Sequence, residues 1–180
     1  MVEPPASAPV HIRPLRPADG PRACTVFRGL GPTSRYRRYG RLAVAEADAS
    51  SWVAELDGVD RFGVEAAHAS TDEPLGVACY VRSGADPAEA EIAVSVIDAW
   101  QRQGVGTALA HALIEHARAC GIARLSATIL PDNLAARRLM RRLGARRRRD
   151  QAGTLEMDIA IAGGRACVPC GDGRAAGRCG

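Results

Sequence analysis

The segment Gln101-Arg102-Gln103-Gly104-Val105-Gly106-Thr107 holds the residues whose types and spacing point most directly to chemistry. It is a glycine-spaced turn that follows a strand-like run and opens a long helix-like one. A helix start presents several unpaired N–H groups and the positive end of a dipole. Glycines let the backbone come close to a ligand. Together they suit an anion, above all a pyrophosphate. A nucleoside-triphosphate P-loop would need a lysine after its glycines. The 180 residues contain none, so all 24 Lys+Arg residues are arginines and the P-loop is excluded. A dinucleotide site wants a third glycine, and here that position is Leu109. It also wants an acid at the end of the next strand, which Ile122–Leu130 lacks. A tight turn without a ligand is the remaining alternative.

Other reactive residues form no such pattern. His11, His68, His111 and His116 show no metal spacing, and His111 and His116 are five residues apart on a helix-like run. Cys24, Cys79 and Cys120 sit singly in apolar segments and read as small buried hydrophobes. Cys167-Val168-Pro169-Cys170 is a lone pair of thiols with only Cys179 as a third ligand, short of a zinc site. No metal is expected. In a strand, the run Arg146–Arg149 would alternate between two faces. With aromatics at 4 %, it lacks the stacking residues of a nucleic-acid surface.

The elements that must position the turn follow from periodicity. Val10–Arg13 reads as a short strand, ended by Pro14 and Pro17. Ala18–Gly29, Thr33–Tyr39 and Ala49–Leu56 read as helices. Arg61–Ala67, Leu75–Arg82 and Ala90–Ile97 are strand-like runs, joined by short turns that imply antiparallel neighbours. Gly104–Cys120 carries an apolar stripe through Val105, Ala108, Leu109, Ala112, Leu113 and His116, and Gly121 is placed to stop it. Ile122–Leu130 is a strand. Asn133–Leu143 is a helix with Asn133 as N-cap and Gly144 as stop. Ala145–Arg149 and Thr154–Ile161 form a final hairpin. The expected domain spans residues 10–162, between a flexible N-terminus (1–9) and a disordered Gly/Arg/Cys-rich tail (163–180).

Gln101-x-x-Gly104-x-Gly106 resembles the Q/R-x-x-G-x-G/A signature of the GNAT superfamily of acyl-CoA N-acetyltransferases. The opening Ile12-Arg13-Pro14-Leu15-Arg16-Pro17-Ala18-Asp19 and the block Asn133, Ala136, Leu139, Leu143-Gly144 resemble other parts of that family, in the same order. The resemblance implies an α+β GNAT fold, a three-layer α/β arrangement. Its mixed, mostly antiparallel twisted sheet has six to seven strands and is flanked by helices. It also implies bound acetyl-CoA. Backbone N–H groups of Gln101, Arg102, Gln103, Gly104, Val105, Gly106 and Thr107 would hold the pyrophosphate. Val94, Ser95 and Val96 would pair with the pantetheine amides. One N–H there would polarise the thioester carbonyl. Asn133 and Arg137 would reach the pantetheine or phosphates.

Acyl transfer needs a neutral amine, so a group must take its proton. Ala90-Glu91-Ile92-Ala93-Val94 resembles the GNAT domain of bacterial protein-lysine acetyltransferases, whose catalytic glutamate lies at this place. Glu91 is the expected general base, with Glu89 second. Many relatives carry a tyrosine acid directly after the Leu139 position, where this chain has Met140; Tyr80 is the stand-in candidate. The resemblance implies an amine acceptor, a protein lysine or a small molecule. A catalytically inactive acyl-CoA sensor is the alternative. A monomer or homodimer is expected, with no nucleic-acid partner. No apolar run approaches the roughly 18–20 residues of a membrane span, and Met1–Pro9 has no signal-peptide pattern. A cytoplasmic location is therefore expected.

Overall fold

Among the residues described in this computed structural model (9–40, 44–151 and 153–161) the elements follow the sequence order closely. They are β1 (Val10–Pro14), α1 (Gly20–Arg28), α2 (Pro32–Tyr39), α3 (Glu46–Ser50), β2 (Arg61–His68), β3 (Pro74–Arg82) and β4 (Glu89–Val96). There follow α4 (Val105–Ala119), β5 (Arg124–Ile129), α5 (Leu134–Arg142), β6 (Arg146–Gln151) and β7 (Thr154–Ala160). One seven-stranded sheet runs in the order β1-β2-β3-β4-β5-β7-β6. Every neighbouring pair is antiparallel except β4 and β5. The expected GNAT architecture is met, with the sheet at its upper strand number.

Glycines stop the helices where expected: Gly121 and Gly144 lie at φ 74° and 80°, a region that costs other residues a Cβ clash. Three boundaries differ from the sequence reading. The run Ala18–Gly29 starts as a 3-10 turn at Pro17–Asp19 before α1, in a stretch where Pro17 and Pro21 bring no N–H. The helix expected at Ala49–Leu56 is α3 followed by a 3-10 turn, Ser51–Glu55. There Ser50 Oγ donates to Glu46 O, and Ser51 Oγ donates to Asp48 O. Such hydroxyls compete with amides for helix carbonyls. The strand expected from Ile122 begins at Arg124, because Ile122 N–H donates to Ala117 O and Ala123 N–H to Ala88 O.

The larger core lies between the sheet and α4 and α5. It includes Ala78, Tyr80, Ile92, Leu109, Leu113, Leu125 and Met140. A smaller one on the other face joins Leu15, Val26 and Val77, with Trp52, Leu56 and Ile97 against them. Aromatics are few, so aliphatic and alanine packing carries the burial. Within this second layer Glu65 is fully buried. Arg22 donates to both its oxygens at 2.6–2.9 Å, and Arg13 Nε stands 3.4 Å away. An unpaired carboxylate there would cost several kcal/mol; paired, it ties β2 to α1 and β1.

The consequential irregularity is the parallel pair. β4 and β5 match only at Glu89↔Arg124, Ala90↔Leu125 and Glu91↔Ser126. Beyond Glu91 they part. β4 stays with β3 as far as Val96, and β5 stays with β7 as far as Ile129. The sheet is thus two leaves joined over three residue pairs.

Candidate active site

α4 begins at the far end of this split. Gln101 is extended, Arg102 takes φ 63° and Gly104 φ 89°. Such positive φ values curl successive amides into a concave nest. Gly104 also serves as N-cap with no side-chain partner. Among the described residues, the amides of Arg102, Gln103, Gly104, Val105 and Gly106 donate to no protein acceptor. The amides at the two ends of the expected cradle are spent. Gln101 N–H donates to Asp98 O, and Thr107 N–H to Gly104 O. The Gln101 side chain is also turned inward, donating to Val96 O, Asp98 Oδ1 and Ser34 Oγ at 3.0–3.3 Å. Gln101 therefore shapes the nest and offers it no donor.

A cofactor arm leading from the nest has space. A Cβ added at Gly106 would stand 3.7–3.9 Å from Val96, Leu139 and Val94 side chains, in ordinary contact. The fold itself does not demand glycine there, and the missing side chain leaves room between β4 and α5. Ile97 N–H donates to Leu75 O. By antiparallel alternation, Ser95 turns its amide to β3, while Val94 and Val96 turn theirs to the split. Ser95, expected at the cofactor, instead pairs with Val77 and is buried on the opposite face. Asn133 caps α5, its Oδ1 accepting from Ala136 N–H at 3.1 Å. Only its amide nitrogen stays available. Arg137 donates to Pro131 O at 2.9 Å, while Arg138 is exposed. The residues present fit acyl-CoA: free amides for phosphates, a free strand edge for an extended amide chain.

Glu91 is the last β4 residue paired across to β5 and stands where the strands part. It is exposed and makes no hydrogen bond or ion pair among the described residues. Its carboxylate reaches the surroundings of Cys79, whose thiol burial pushes up; Glu91 adds to that shift and Arg38 opposes it. Glu89 is engaged, paired with Arg124 and 3.8 Å from Arg148. Tyr80 is not an available acid. It is fully buried on the α4 face, where its hydroxyl donates to Val59 O and meets His116 Nδ1 at 2.9 Å. Burial holds its phenol well above the usual range. Met140 points into the same core.

Sequence reading missed how α2 is tied in. Asp98 Oδ2 accepts from Gly31 N–H at the start of α2, and its Oδ1 accepts from Gln101. The approach is close: a Cβ at Gly29 would lie 2.5 Å from Ile97 Cγ2, and one at Gly31 2.6 Å from Asp98 Oδ2. From its other side, Arg37 donates to Asp132 Oδ2 and O at 3.1 and 3.2 Å, next to the Asn133 cap. So α2 spans the split, attached to the loop after β4 and to the loop after β5. It brings Arg38 and half-buried Tyr39 towards Cys79. The glycines at 29 and 31 were the available signal, but their partners lie about seventy residues away.

Residues 10–146 match the acetyltransferase (GNAT) domain family, and the chain belongs to it. Members of that family are acyltransferases that use acetyl-CoA as donor. Over 151 residues it is 29 % identical to Acetyltransferase Pat of Mycolicibacterium smegmatis, covering 84 % of this chain and 45 % of that protein. The chain thus spans less than half of that curated relative. The GNAT domain of S. lividans PAT superposes with a TM-score of 0.77 at 26 % identity, over 84 % of this chain and 90 % of that one. A GCN5-related N-acetyltransferase from Kribbella flavida shares the fold, with a TM-score of 0.73 at 21 % identity over 85 % and 98 % of the two chains. Among the described residues no helix is long and apolar enough to cross a membrane, and no group of three or more His, Cys, Asp or Glu side chains could hold a metal. The expected tail thiols Cys167, Cys170 and Cys179 lie outside the described residues.

Proposed function

We propose that this chain moves an acetyl group from acetyl-CoA to a primary amine, a protein lysine foremost, with Glu91 as general base. The observation that carries this is one continuous line of unspent groups. It starts at amides 102–106, follows the β4 edge through Val96 and Val94, and ends at Glu91. Glu91 and Val96 are about 17 Å apart along the strand, a path suited to an extended arm. When bound, acetyl-CoA supplies an activated acyl carbonyl. The nest N–H groups donate to its phosphate oxygens, and Val94 N–H donates to the carbonyl oxygen as charge develops there. Glu91 takes the proton of the incoming ammonium, directly or through water. The thiolate needs no protein acid to leave, which accommodates Met140.

Acetyl-CoA consumption with lysine peptides and a panel of small amines, run beside CoA binding, tests the reading. Turnover that depends on Glu91 is expected. The second reading, an acyl-CoA sensor, draws on the absence of an acid at Met140; binding without turnover on any amine would favour it. The 10–162 domain boundary is tested by deleting residues 163–180, with full activity expected.

A further inference from the structure

The sheet face that carries Glu91 continues past it onto the second leaf. Glu91 pairs across with Ser126, Ser126 with Asp158, and Asp158 with Arg146. Beside this line lies a cavity of about 250 Å³, whose walls include Arg124, Arg146, Arg147 and Arg148 against a single acid, Asp158. The arginines are unequally engaged. Arg124 is held by Glu89. Arg148 stands 3.5–3.8 Å from Glu89, Glu156 and Asp158. All three separations exceed the roughly 2.7–2.9 Å of a close charge-assisted bond, so its guanidinium is shared and bidentate to none. Arg146 makes no ion pair among the described residues. Behind them, Asp158 Oδ1 is fully buried and accepts from no donor among the described residues. Leaving such an acceptor unmet costs about 1–3 kcal/mol.

The cavity therefore offers an unspent cation and a loosely held second cation. Their complement is a carboxylate, which an acidic side chain in a peptide presents. We propose that this cavity receives an acidic side chain of the acceptor, so that the enzyme selects a lysine with Asp or Glu about two residues away. Its carboxylate meets Arg146 and Arg148. The spacing follows from the sheet. Glu91 and Arg146 are three strand intervals apart, about 14 Å. Two extended residues cover about 7 Å of this, and the lysine side chain covers the remainder. The inference rests on reading the Glu91 face as the acceptor side.

The test uses the full chain with CoA and fluorescent peptides holding one lysine. Asp stands two residues before or after it, with Asn in the control. Anisotropy gives affinity, and acetyl transfer gives KM and kcat separately. The acidic peptide should bind about tenfold more tightly than its Asn twin, with KM lower to match and kcat alike. In Arg146→Gln and Arg148→Gln the difference should shrink to less than about twofold, while the CoA-induced thermal shift reports an intact fold. Equal affinity of both peptides for the wild-type chain overturns the proposal. So does a preference that survives both substitutions. Acid-selective binding without turnover would support the cavity and sink lysine transfer instead.

Discussion

The two sides of the β4–β5 split are made of different material. On the proposed donor side the functional groups are main-chain: five amides at 102–106 and the edge of β4 at Val94 and Val96. Side chains there serve to hold the backbone, as Gln101 and Asp98 do. On the proposed acceptor side they are side chains drawn from separate elements: Glu91 from β4, Asp158 from β7, Arg146 and Arg148 from β6, Arg38 and Tyr39 from α2. A main-chain site can be built by one short segment and needs glycine at fixed places. A side-chain site is assembled by sheet register, and substitutions can retune it without disturbing the fold. The donor side is thus the constant half of such an enzyme, and the acceptor side the adjustable one.

The contrast can be broken by substitutions that ought to separate the halves. Glu91→Gln should lower kcat by about 10²–10³ and leave CoA binding within about twofold. An equal loss of both would unite the halves. Gly106→Leu should raise the Kd for CoA by at least about tenfold, since the added side chain fills the room between β4 and α5. Gly106→Ala should gain about 0.5–1 kcal/mol of stability, because its Cβ meets nothing closer than 3.7 Å. A melting curve with and without CoA reads both effects. Asp98→Ala should weaken donor and acceptor together, raising each KM about threefold. It removes the shared anchor of the nest and α2, and Asp98→Asn should restore most of the Gly31 bond.

The smallest expected effect concerns the far end of α4. Burial lowers the His116 pKa below its ordinary 6.5, so the unfolded chain binds the extra proton first. Stability is then fully present above about 6.5 and declines as pH falls towards the folded value. Thermal melts from pH 7.5 to 5 should show this slope, and His116→Gln should flatten it without changing acetyl transfer at pH 8.

Much of this molecule was legible because its signals are local. Helix stops at Gly121 and Gly144, the succession of elements along the chain and the left-handed turn at Gly104 all follow from a few adjacent residues. What stayed hidden depends on distant pairing. Glu65 lies in the strand-like run Arg61–Ala67, where nothing in the sequence marks it out, yet it is fully buried because Arg22 and Arg13 arrive from α1 and β1. Tyr80 offered a phenol at a suitable place in the chain, but the pleat turns it away from the split towards His116. The run Arg146–Arg149 read as a strand with no common face. The bulge between Arg147 and Arg149 breaks strict alternation, and it is here that Arg148 meets the acids of β4 and β7.

The open edge of β4 also bears on how the protein is handled. A strand with unmet amides is a template on which another chain can add a strand, and here that edge sits in a two-leaf sheet held across three residue pairs. Filling the edge with an extended ligand would satisfy those groups from within. Bound CoA should therefore act as a colloidal stabiliser: concentrated samples should scatter less light over days with it than without, even at temperatures far below melting.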